Sequence, residues 1–381
     1  MNKRKICVIT GSRAEYGQLF WILKGLQNDN NIELQLVVTG MHLSNEFGYT
    51  CNEIINDGFE IIRKIEVVLS SDSPSSISKS MGLSMISFSD VFDCLKPDLC
   101  LVLGDRFEIF SAVSSAHVFG IPIAHIAGGE VTSGVIDDGF RHSISKMSSL
   151  HFTANISYSK RLIKMGENKS NVFTTGMPGL DSVYKTNLLN KIQFEKAINF
   201  KLEKTTCLIT YHPLSLKNNN EKHNFQQILK ALENFKDFKF IFTFPNSDTY
   251  GRIIINLINE FVENNSKNSI AFKSLGSLRY LSALKHVDLV VGNSSSGITE
   301  APCFNTPTVN VGERQNGRLK ADSVVDCDLV SSNIIMAIEK ALKLNINRVI
   351  NPYGKAGASN KIVDLIKKID FYNINNKSFS D

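Results

Sequence analysis

Charged residues and glycines stand directly after short apolar runs in the first half of the chain. Residues 10–17 (TGSRAEYG) and 104–108 (GDRFE) each follow such a run. A third run ends in residues 125–130 (HIAGGE), which lead into residues 137–142 (DDGFRH). Ionisable groups at the end of a buried strand are costly unless they pair or bind a ligand. Carboxylates and histidines can exchange protons while arginines hold phosphate, so the pattern predicts acid–base chemistry on an anionic ligand.

Each of these motifs also has a purely structural interpretation. Residues 10–17 could form a simple tight turn with a surface arginine, and residues 104–108 could hold an internal aspartate–arginine pair. Asp137 or Asp138 could cap the helix that follows them. The spacing of the histidines and carboxylates matches no recognised set of metal ligands, so no metal site is predicted.

The second half of the chain carries similar signals. His212 ends one apolar run, and residues 244–246 (FPN) end the next. Residues 292–300 (GNSSSGITE) should open a helix, so that hydroxyl and N–H groups form a phosphate cradle at its first turn. We expect Glu300, one turn into that helix, to accept hydrogen bonds from a ribose diol. Residues 310–318 (NVGERQNGR) add two arginines just past another apolar run.

The elements that position these motifs repeat one scheme in both halves. Near-continuous apolar runs predict strands buried on both faces, and the amphipathic stretches between them predict helices. This alternation is typical of βαβ units with a parallel sheet. The predicted strands are residues 6–10, 34–39, 99–103 and 121–126, then 207–211, 238–244, 289–292 and 308–311. The predicted helices are residues 16–26, 85–95, 109–118 and 140–150, then 225–235, 252–261, 278–285 and 334–344.

The length of 381 residues favours two domains, because single hydrophobic cores stop growing at smaller sizes. A polar stretch at residues 184–204 separates the halves and places the boundary near residue 185. We therefore predict an α/β protein with two Rossmann-like domains, residues 1–185 and 186–381, and a central cleft where the strand ends meet. A last helix over residues 361–369 could pack back on the N-terminal domain.

The composition excludes several classes of protein. The net charge of +5 is spread along the chain without a dense basic block, so no nucleic-acid partner is expected. Seven cysteines without a CxxC pair indicate neither a disulfide framework nor a zinc site. No apolar stretch approaches the roughly 20 residues of a membrane span, and the N-terminus lacks the pattern of a signal peptide. We expect a cytoplasmic protein that needs no membrane.

In their order along the chain, these motifs resemble those of the hydrolysing UDP-N-acetylglucosamine 2-epimerases. The resemblance also includes VTGMH, and it runs from residue 6 to about residue 320. It implies a glycosyltransferase-B-like fold of two Rossmann-like domains around a deep cleft. It further implies that UDP-N-acetylglucosamine and water give N-acetylmannosamine and UDP, for sialic acid biosynthesis, without a cofactor. We expect a homodimer or homotetramer.

The resemblance assigns roles to individual residues. It implies an anti elimination that removes the C2 proton and releases UDP, leaving a 2-acetamidoglucal that is then hydrated. The residues implied for the sugar and the chemistry are Asp105, Glu130, Asp137 and His142, with His42 as a sugar contact and His212 as a further catalytic candidate. The residues implied for UDP are His212, Asn246, Ser294, Ser295, Glu300 and Arg314, with Arg13 and Arg106 reaching from the N-terminal domain.

One position departs from the family pattern. Several family members carry a glutamate two residues after the first histidine of the third motif, where this chain has Ala127. The spacing to the aspartate pair is also one residue longer. Glu130 or His125 could serve instead of that glutamate, or the substrate could differ.

Three alternative functions follow. The first is a hydrolysing 2-epimerase for a UDP-2,4-diacetamido-trideoxyhexose, on the route to legionaminic acid, since the contacts to C4 and C6 of the sugar cannot be located in the sequence. The second is a glycosyltransferase of the same fold, which would need no base at C2. The third is a nucleotide-sugar sensor, which would keep Arg314 but would not need Asp105 and Asp137.

Overall fold

The chain forms two compact units. The computed structural model describes residues 3–69, 71, 73–214, 220–245, 250–346, 348–374 and 377. The first unit comprises Met1–Glu130, Ile136–Lys185 and Tyr353–Asp381, and the second comprises Val131–Val135 and Thr186–Pro352. The chain therefore leaves the first unit and returns to it near its end.

The first unit is built on a parallel sheet with helices between consecutive strands. Its strands are β1 (Arg4–Thr10), β2 (Ile32–Thr39), β3 (Arg63–Ile65), β4 (Leu99–Leu103), β5 (Ile123–Ile126), β6 (Leu150–Thr153) and β7 (Val172–Thr174), in the order β3-β2-β1-β4-β5-β6-β7. Its helices up to residue 185 are α1 (Arg13–Gln27), α2 (Cys51–Asn56), α3 (Pro74–Leu95), α4 (Phe107–Val118), α5 (Ile136–Met147), α6 (Ile156–Lys164) and α7 (Gly179–Lys185). The central strand β4 is apolar throughout (LCLVL) because both of its faces are buried.

The second unit repeats this architecture with its own parallel sheet. Its strands are β8 (Thr206–Thr210), β9 (Lys239–Thr243), β10 (Ser269–Phe272), β11 (Leu289–Gly292), β12 (Thr308–Val311) and β13 (Val324–Cys327), in the order β10-β9-β8-β11-β12-β13. Its helices are α8 (Lys191–Ile198), α9 (Glu221–Leu232), α10 (Gly251–Asn264), α11 (Gly276–His286), α12 (Ser296–Thr299) and α13 (Ser331–Leu342). None of the helices in the described ranges is both long and apolar enough to cross a membrane.

Both sheets reverse their strand order beside their first strand. In the first unit β1 lies between β2 and β4, and in the second β8 lies between β9 and β11. Loops that leave the two central strands diverge at such a point, so a crevice opens outside the carboxyl ends of the strands. Residues 11–13 and 104–106 flank this point in the first unit, and residues 211–214 and 293–295 flank it in the second. The topology thus places the motifs of each half at one end of its sheet.

The central strands predicted from the sequence are present, but the strands at and near the sheet edges differ. Strands β3, β6, β7, β10 and β13 were not predicted, because three or four residues with mixed polarity carry no clear alternation. The prediction of a helix over residues 140–150 was wrong at the C-terminal end, because α5 ends at Met147 and Leu150 begins strand β6. The helix predicted over residues 85–95 begins much earlier, at Pro74, where the Ser73 hydroxyl accepts a hydrogen bond from the N–H of Ser76.

The end of the chain packs on the first unit as helices α14 (Ala358–Lys368) and α15 (Phe371–Ile374). Asp181 of α7 is fully buried and accepts hydrogen bonds from the N–H groups of Gly357 and Ser359, at 2.5 and 2.7 Å. These bonds satisfy donors that have no partner within the helix. Val363 of α14 packs on α1 opposite Gly25, where an added Cβ would lie 2.9 Å from Cγ2 of the valine.

Replacement of Gly292 by alanine should destabilise the second unit. Gly292 has a φ of +137°, and a Cβ there would lie 2.0 Å from the carbonyl oxygen of Thr210. Backbone strain and the clash together should cost about 2–5 kcal/mol in the free energy of unfolding. Gly82→Ala is the matched control, since Gly82 lies within α3 and an added Cβ meets no atom within 4 Å.

We expect the control substitution to leave the free energy of unfolding unchanged or to raise it by about 1 kcal/mol. Denaturant titration of both variants checks this difference. Equal stability of Gly292→Ala and the wild-type protein would contradict the assigned backbone conformation.

Candidate functional site

A buried glutamate closes the turn after β1. Ser12 caps helix α1, its hydroxyl accepting from the N–H of Glu15, while the Glu15 carboxylate accepts from the N–H groups of Gly11 and Ser12 at 2.7 and 3.2 Å. This reciprocal pair is a capping box. Burial and the nearby Glu108 raise the pKa of Glu15 to about 8, against the opposing effects of Arg106 and the Gly11 N–H. Glu15 is therefore largely protonated at neutral pH.

A second buried glutamate holds the arginine that follows β4. Glu108 is fully buried and binds Nε of Arg106 at 2.8 Å. The same carboxylate fills the space above two glycines: a Cβ on Gly11 would lie 2.5 Å from its Cγ, and a Cβ on Gly40 would lie 2.8 Å from its Oε1. Gly11 of TGSRAEYG and Gly40 of VTGMH are thus required by packing against Glu108.

An ion pair joins the β4 turn to helix α5. Arg141 of α5 donates to the carboxylate of Asp105 and, at 3.3 Å, to that of Asp138. His142 lies 3.5 Å from the other oxygen of Asp138. The pair is largely shielded, with 7 % of the Arg141 side chain and 17 % of the Asp105 side chain exposed. Asp105 therefore keeps partial access to solvent beside a fixed positive charge.

The remaining first-unit candidates lie along the same end of the sheet. Glu130 is buried just after β5, and Arg13 begins helix α1. Asp137 and Asp138 lie in the first turn of α5, which begins at Ile136, so the prediction that one of them caps the helix from outside was wrong. Their carboxylates instead lie near the positive end of the helix dipole.

Two histidines of the first unit are buried with both ring nitrogens engaged. His42 has Nε2 3.1 Å from the Thr10 hydroxyl and Nδ1 2.8 Å from the Thr50 hydroxyl. His125 is likewise bonded through both nitrogens. Burial lowers the pKa of each ring to about 3. His125, one of the two alternatives to the glutamate absent at Ala127, is fully buried with both ring nitrogens bonded within the first unit, so Glu130 is the better-placed alternative.

A side-chain amide organises the switch point of the second unit. Asn293, after β11, accepts from the N–H of His212 and donates to its carbonyl oxygen, both at 2.7 Å. Gln315 donates to the carbonyl oxygen of Asn293 at 2.7 Å, and Arg314 donates to it at 3.2 Å. Nε of Arg314 is buried without a hydrogen-bond partner among the described residues. His212 and Arg314 are thus held around one residue, His212 by the side-chain amide of Asn293 and Arg314 by its main-chain carbonyl.

The serine-rich motif forms a shorter helix than the sequence predicts. Helix α12 spans only Ser296–Thr299, so Glu300 is its C-terminal cap and does not lie one turn inside it. The turn before the helix contains Ser294, whose hydroxyl lies 3.3 Å from that of Ser296. Ser294 and Ser295 are half-buried just after β11, beside the residues that Asn293 organises.

Two further expectations from the sequence concern Asn246 and metal binding. Asn246 lies outside the described residues, so the structure places no contact for it. In the part of the chain that the structure describes, no group of three or more His, Cys, Asp or Glu side chains is arranged to hold a metal ion.

Sequence reasoning missed several residues that shape the site. Glu15, Glu108 and Arg141 lie within the motifs described above, but no role was predicted for them. For Glu15 a signal was present, because the spacing Ser12-x-x-Glu15 is the pattern of a capping box. The sequence did not distinguish Asn293 as a residue of the site, because an asparagine after a strand is equally typical of an ordinary turn.

Two Rossmann-like sheets, each with polar loops at its switch point, define an α/β protein of the glycosyltransferase-B-like class. The chain belongs to the hydrolysing UDP-N-acetylglucosamine 2-epimerase family: the family model described as UDP-N-acetylglucosamine 2-epimerase matches residues 24–367. The family and fold class predicted from the ordered motifs are therefore confirmed.

Two relatives support this membership over nearly the whole chain, and one solved structure has a similar fold. The GDP/UDP-N,N'-diacetylbacillosamine 2-epimerase (hydrolyzing) of Campylobacter jejuni is 41% identical and covers 100% of both chains. The UDP-N,N'-diacetylbacillosamine 2-epimerase (hydrolyzing) of Legionella pneumophila is 37% identical and covers 97% of both. The UDP-GlcNAc 2-epimerase of Neisseria meningitidis, solved with UDP-GlcNAc bound, has a TM-score of 0.79 at 20% identity, covering 96% of this chain and 100% of that one.

Replacing Glu15 with glutamine should change how stability depends on pH. The folded protein raises the pKa of Glu15 from 4.5 to about 8, so its contribution to stability is complete below pH 4.5 and is lost as the pH rises through about 8. Glutamine keeps an acceptor for the N–H groups of the turn and has no proton to lose. The free energy of unfolding of Glu15→Gln, relative to wild type, should therefore rise by at least about 1 kcal/mol from pH 5 to pH 8.

Denaturant titrations at both pH values measure this difference. Glu60→Gln, at an exposed position, is the control and should keep a constant difference from wild type. A difference for Glu15→Gln that stays constant or falls would contradict the raised pKa.

Proposed function

We propose that the chain is a hydrolysing 2-epimerase for a UDP-2,4-diacetamido-trideoxyhexose such as UDP-N,N'-diacetylbacillosamine. The observation that carries this proposal is the identity of 41% and 37%, over nearly the whole chain, to two enzymes named for that sugar. UDP-N-acetylglucosamine, the main substrate expected from the sequence, becomes the second candidate, favoured by the description of the family model. The homodimer or homotetramer stays a prediction from the sequence.

The proposed reaction needs proton transfer at C2 and charge stabilisation at the leaving diphosphate. A carboxylate removes the C2 proton while the C1–O bond to the nucleotide breaks, which forms a glycal and a nucleoside diphosphate. Water then adds at C1, and an acid returns a proton to C2 on the opposite face of the ring. Two proton-transfer groups are therefore required, one for each face.

We assign these transfers to the acidic residues at the carboxyl end of the first sheet. Asp105 is the leading candidate, because the guanidinium of Arg141 holds its carboxylate in place while part of its side chain stays exposed. Asp137, in the first turn of α5, is the second candidate, with Glu130 and His142 as further ones. His42, bonded to Thr10 and Thr50, is proposed to support the turn beneath the sugar.

We assign the nucleotide to the second unit. The Nε donor of Arg314, buried and unused among the described residues, suits a diphosphate oxygen. The half-buried Ser294 and Ser295 can donate hydroxyl protons to the same group. His212, Asn246 and Glu300 complete the proposed nucleotide contacts, with Arg13 and Arg106 of the first unit as further cations. Positive charge near the leaving group stabilises it as the C1–O bond breaks.

The two substrate candidates differ at only two carbons. The diacetamido sugar carries an acetamido group at C4 and a methyl group at C6, where N-acetylglucosamine carries a hydroxyl and a hydroxymethyl group. We expect kcat/KM for UDP-N,N'-diacetylbacillosamine to exceed that for UDP-N-acetylglucosamine by at least about tenfold, since a misplaced polar or apolar group costs 1–3 kcal/mol. Proton NMR in deuterated water measures UDP release and deuterium at C2 of the free sugar.

The reverse preference would make UDP-N-acetylglucosamine the substrate. Release of UDP without deuterium at C2 would indicate simple hydrolysis or glycosyl transfer. Absence of UDP release from both sugars would remove the proposed function altogether.

The proton-transfer assignments predict large effects on turnover. Asp105→Asn and Asp137→Asn should each lower kcat by about 10²–10⁴-fold, the usual contribution of a positioned acid or base. UDP affinity, measured by calorimetry, should change little because its proposed ligands lie mainly on the second unit. Asp364→Asn, at an exposed position of α14, is the control and should keep full activity. Near wild-type kcat in both site variants would move the chemistry to Glu130, His142 or His212.

A further inference from the structure

His125 links the turn after β4 to helix α5 through both nitrogens of its ring. The ring is fully buried in β5. Its Nε2 lies 2.7 Å from the carbonyl oxygen of Gly104, and its Nδ1 lies 3.0 Å from the hydroxyl oxygen of Ser145. That hydroxyl lies 3.0 Å from the carbonyl oxygen of Arg141. One side chain thus connects the residue before Asp105 with the helix that carries the arginine partner of that aspartate.

The partners of the ring determine where its proton lies. A carbonyl oxygen can only accept, so Nε2 carries the hydrogen and donates it to Gly104. Burial lowers the pKa of His125, and the nearby His151, Arg141 and His142 lower it further, so the ring is neutral. Nδ1 therefore keeps a lone pair that faces the Ser145 hydroxyl, whose single proton is shared between Nδ1 and the carbonyl oxygen of Arg141. The ring is a fixed donor on the side of Gly104.

Gly128 keeps this link in place by having no side chain. An added Cβ on Gly128 would lie 2.9 Å from the Ser145 hydroxyl oxygen and 3.0 Å from Nδ1 of His125. An added Cβ on its neighbour Gly129, which has a φ of +75°, would lie 2.5 Å from the carbonyl oxygen of Tyr158. The glycine pair of the third motif thus serves close packing inside the first unit.

The turn that holds Asp105 needs such a contact. Gly104 has a φ of +85°, in the left-handed region that glycine enters and leaves easily. Asp105 is bound to Arg141, and Arg141 stands one helical turn before Ser145. The hydrogen bond from His125 to the Gly104 carbonyl and the ion pair with Arg141 together define the position of the Asp105 carboxylate.

We propose that His125 is a positioning residue for the 2-epimerase reaction: its Nε2–H holds the Gly104 carbonyl, which sets Asp105 against Arg141 in the geometry that proton transfer requires. The inference rests on the proposed function, in which Asp105 is a proton-transfer group. A displacement of about 1 Å at a reacting group can lower the rate about 10²-fold, so loss of this contact should lower kcat.

Two substitutions separate the two sides of the ring. The amide nitrogen of glutamine reaches the position of Nε2, so His125→Gln can still donate to Gly104. The amide of asparagine reaches only the position of Nδ1, so His125→Asn keeps a polar group beside Ser145 and loses the donor to Gly104. Each variant loses one buried hydrogen bond, and we expect similar falls in Tm. We expect His125→Gln to stay close to wild-type kcat and His125→Asn to lose about 10–100-fold, with little change in KM.

His151 provides a matched control. It lies directly opposite His125 in the sheet register, is equally buried and bonds through Nε2 to Glu167 at 2.9 Å. His151→Asn should lower Tm by a similar amount and leave kcat of the folded enzyme unchanged. Equal losses of kcat in His125→Gln and His125→Asn, or a loss in His151→Asn that matches them, would overturn the inference.

The wild-type enzyme in the same assay separates this inference from the proposed function. If wild type releases no UDP from either sugar nucleotide, the proposed function fails on its own. The link is then tested by NMR of protein labelled with ¹⁵N-histidine, in which His125 is identified by the signal lost in His125→Asn. A neutral ring protonated on Nε2 at neutral pH supports the link, and a proton on Nδ1 overturns it.

Discussion

Two buried glutamates at the switch point of the first unit determine much of what surrounds them. Removing a carboxylate from water is unfavourable unless cations, N–H donors or a proton compensate for the lost hydration. Glu108 is compensated by Arg106, while Glu15 takes the N–H groups of the β1 turn and retains a proton to higher pH. Arg106 binds Glu108 through Nε, and the adjacent Asp105 binds a different cation, Arg141 of helix α5. The position of a whole helix is thereby coupled to the charge balance of one turn.

The second unit places a neutral side chain at the corresponding point of its sheet. At its switch point a neutral amide, Asn293, joins the ends of β8 and β11 by two hydrogen bonds to the backbone of His212. The Nε donor of Arg314 is buried beside this residue without a protein acceptor among the described residues. A neutral frame beside an arginine suits an anionic ligand, whereas a frame rich in carboxylates suits proton transfer.

The sequence predicted best what depends on local pattern. Central strands buried on both faces are continuous apolar runs, so β1, β4, β8 and β11 could be located, and the polar motifs after them follow from the topology of parallel sheets. Edge strands such as β3 (RKI) have no such pattern. Pairings within the site were not predictable, because the partner of Asp105 lies 36 residues away and depends on where α5 packs. The buried state of His125 also depends on tertiary packing, and its sequence context resembled that of an exposed catalytic group.

The discontinuity of the first unit has a consequence for the order in which the protein acquires its structure during synthesis. The second unit consists of one continuous stretch, Thr186–Pro352, and the short segment Val131–Val135. Because that segment comes earlier in the chain, it has already been synthesised when the rest of the unit emerges from the ribosome. The first unit, although translated earlier, lacks α14 until its last residues emerge, so the Asp181 carboxylate and the Gly25 face of α1 must wait for their partners. Domains of multidomain chains generally fold from the N-terminus onward as they are synthesised. Here the unit that is translated first is completed only after the second unit has been made, which leaves the apolar face of α1 without its partner until α14 emerges.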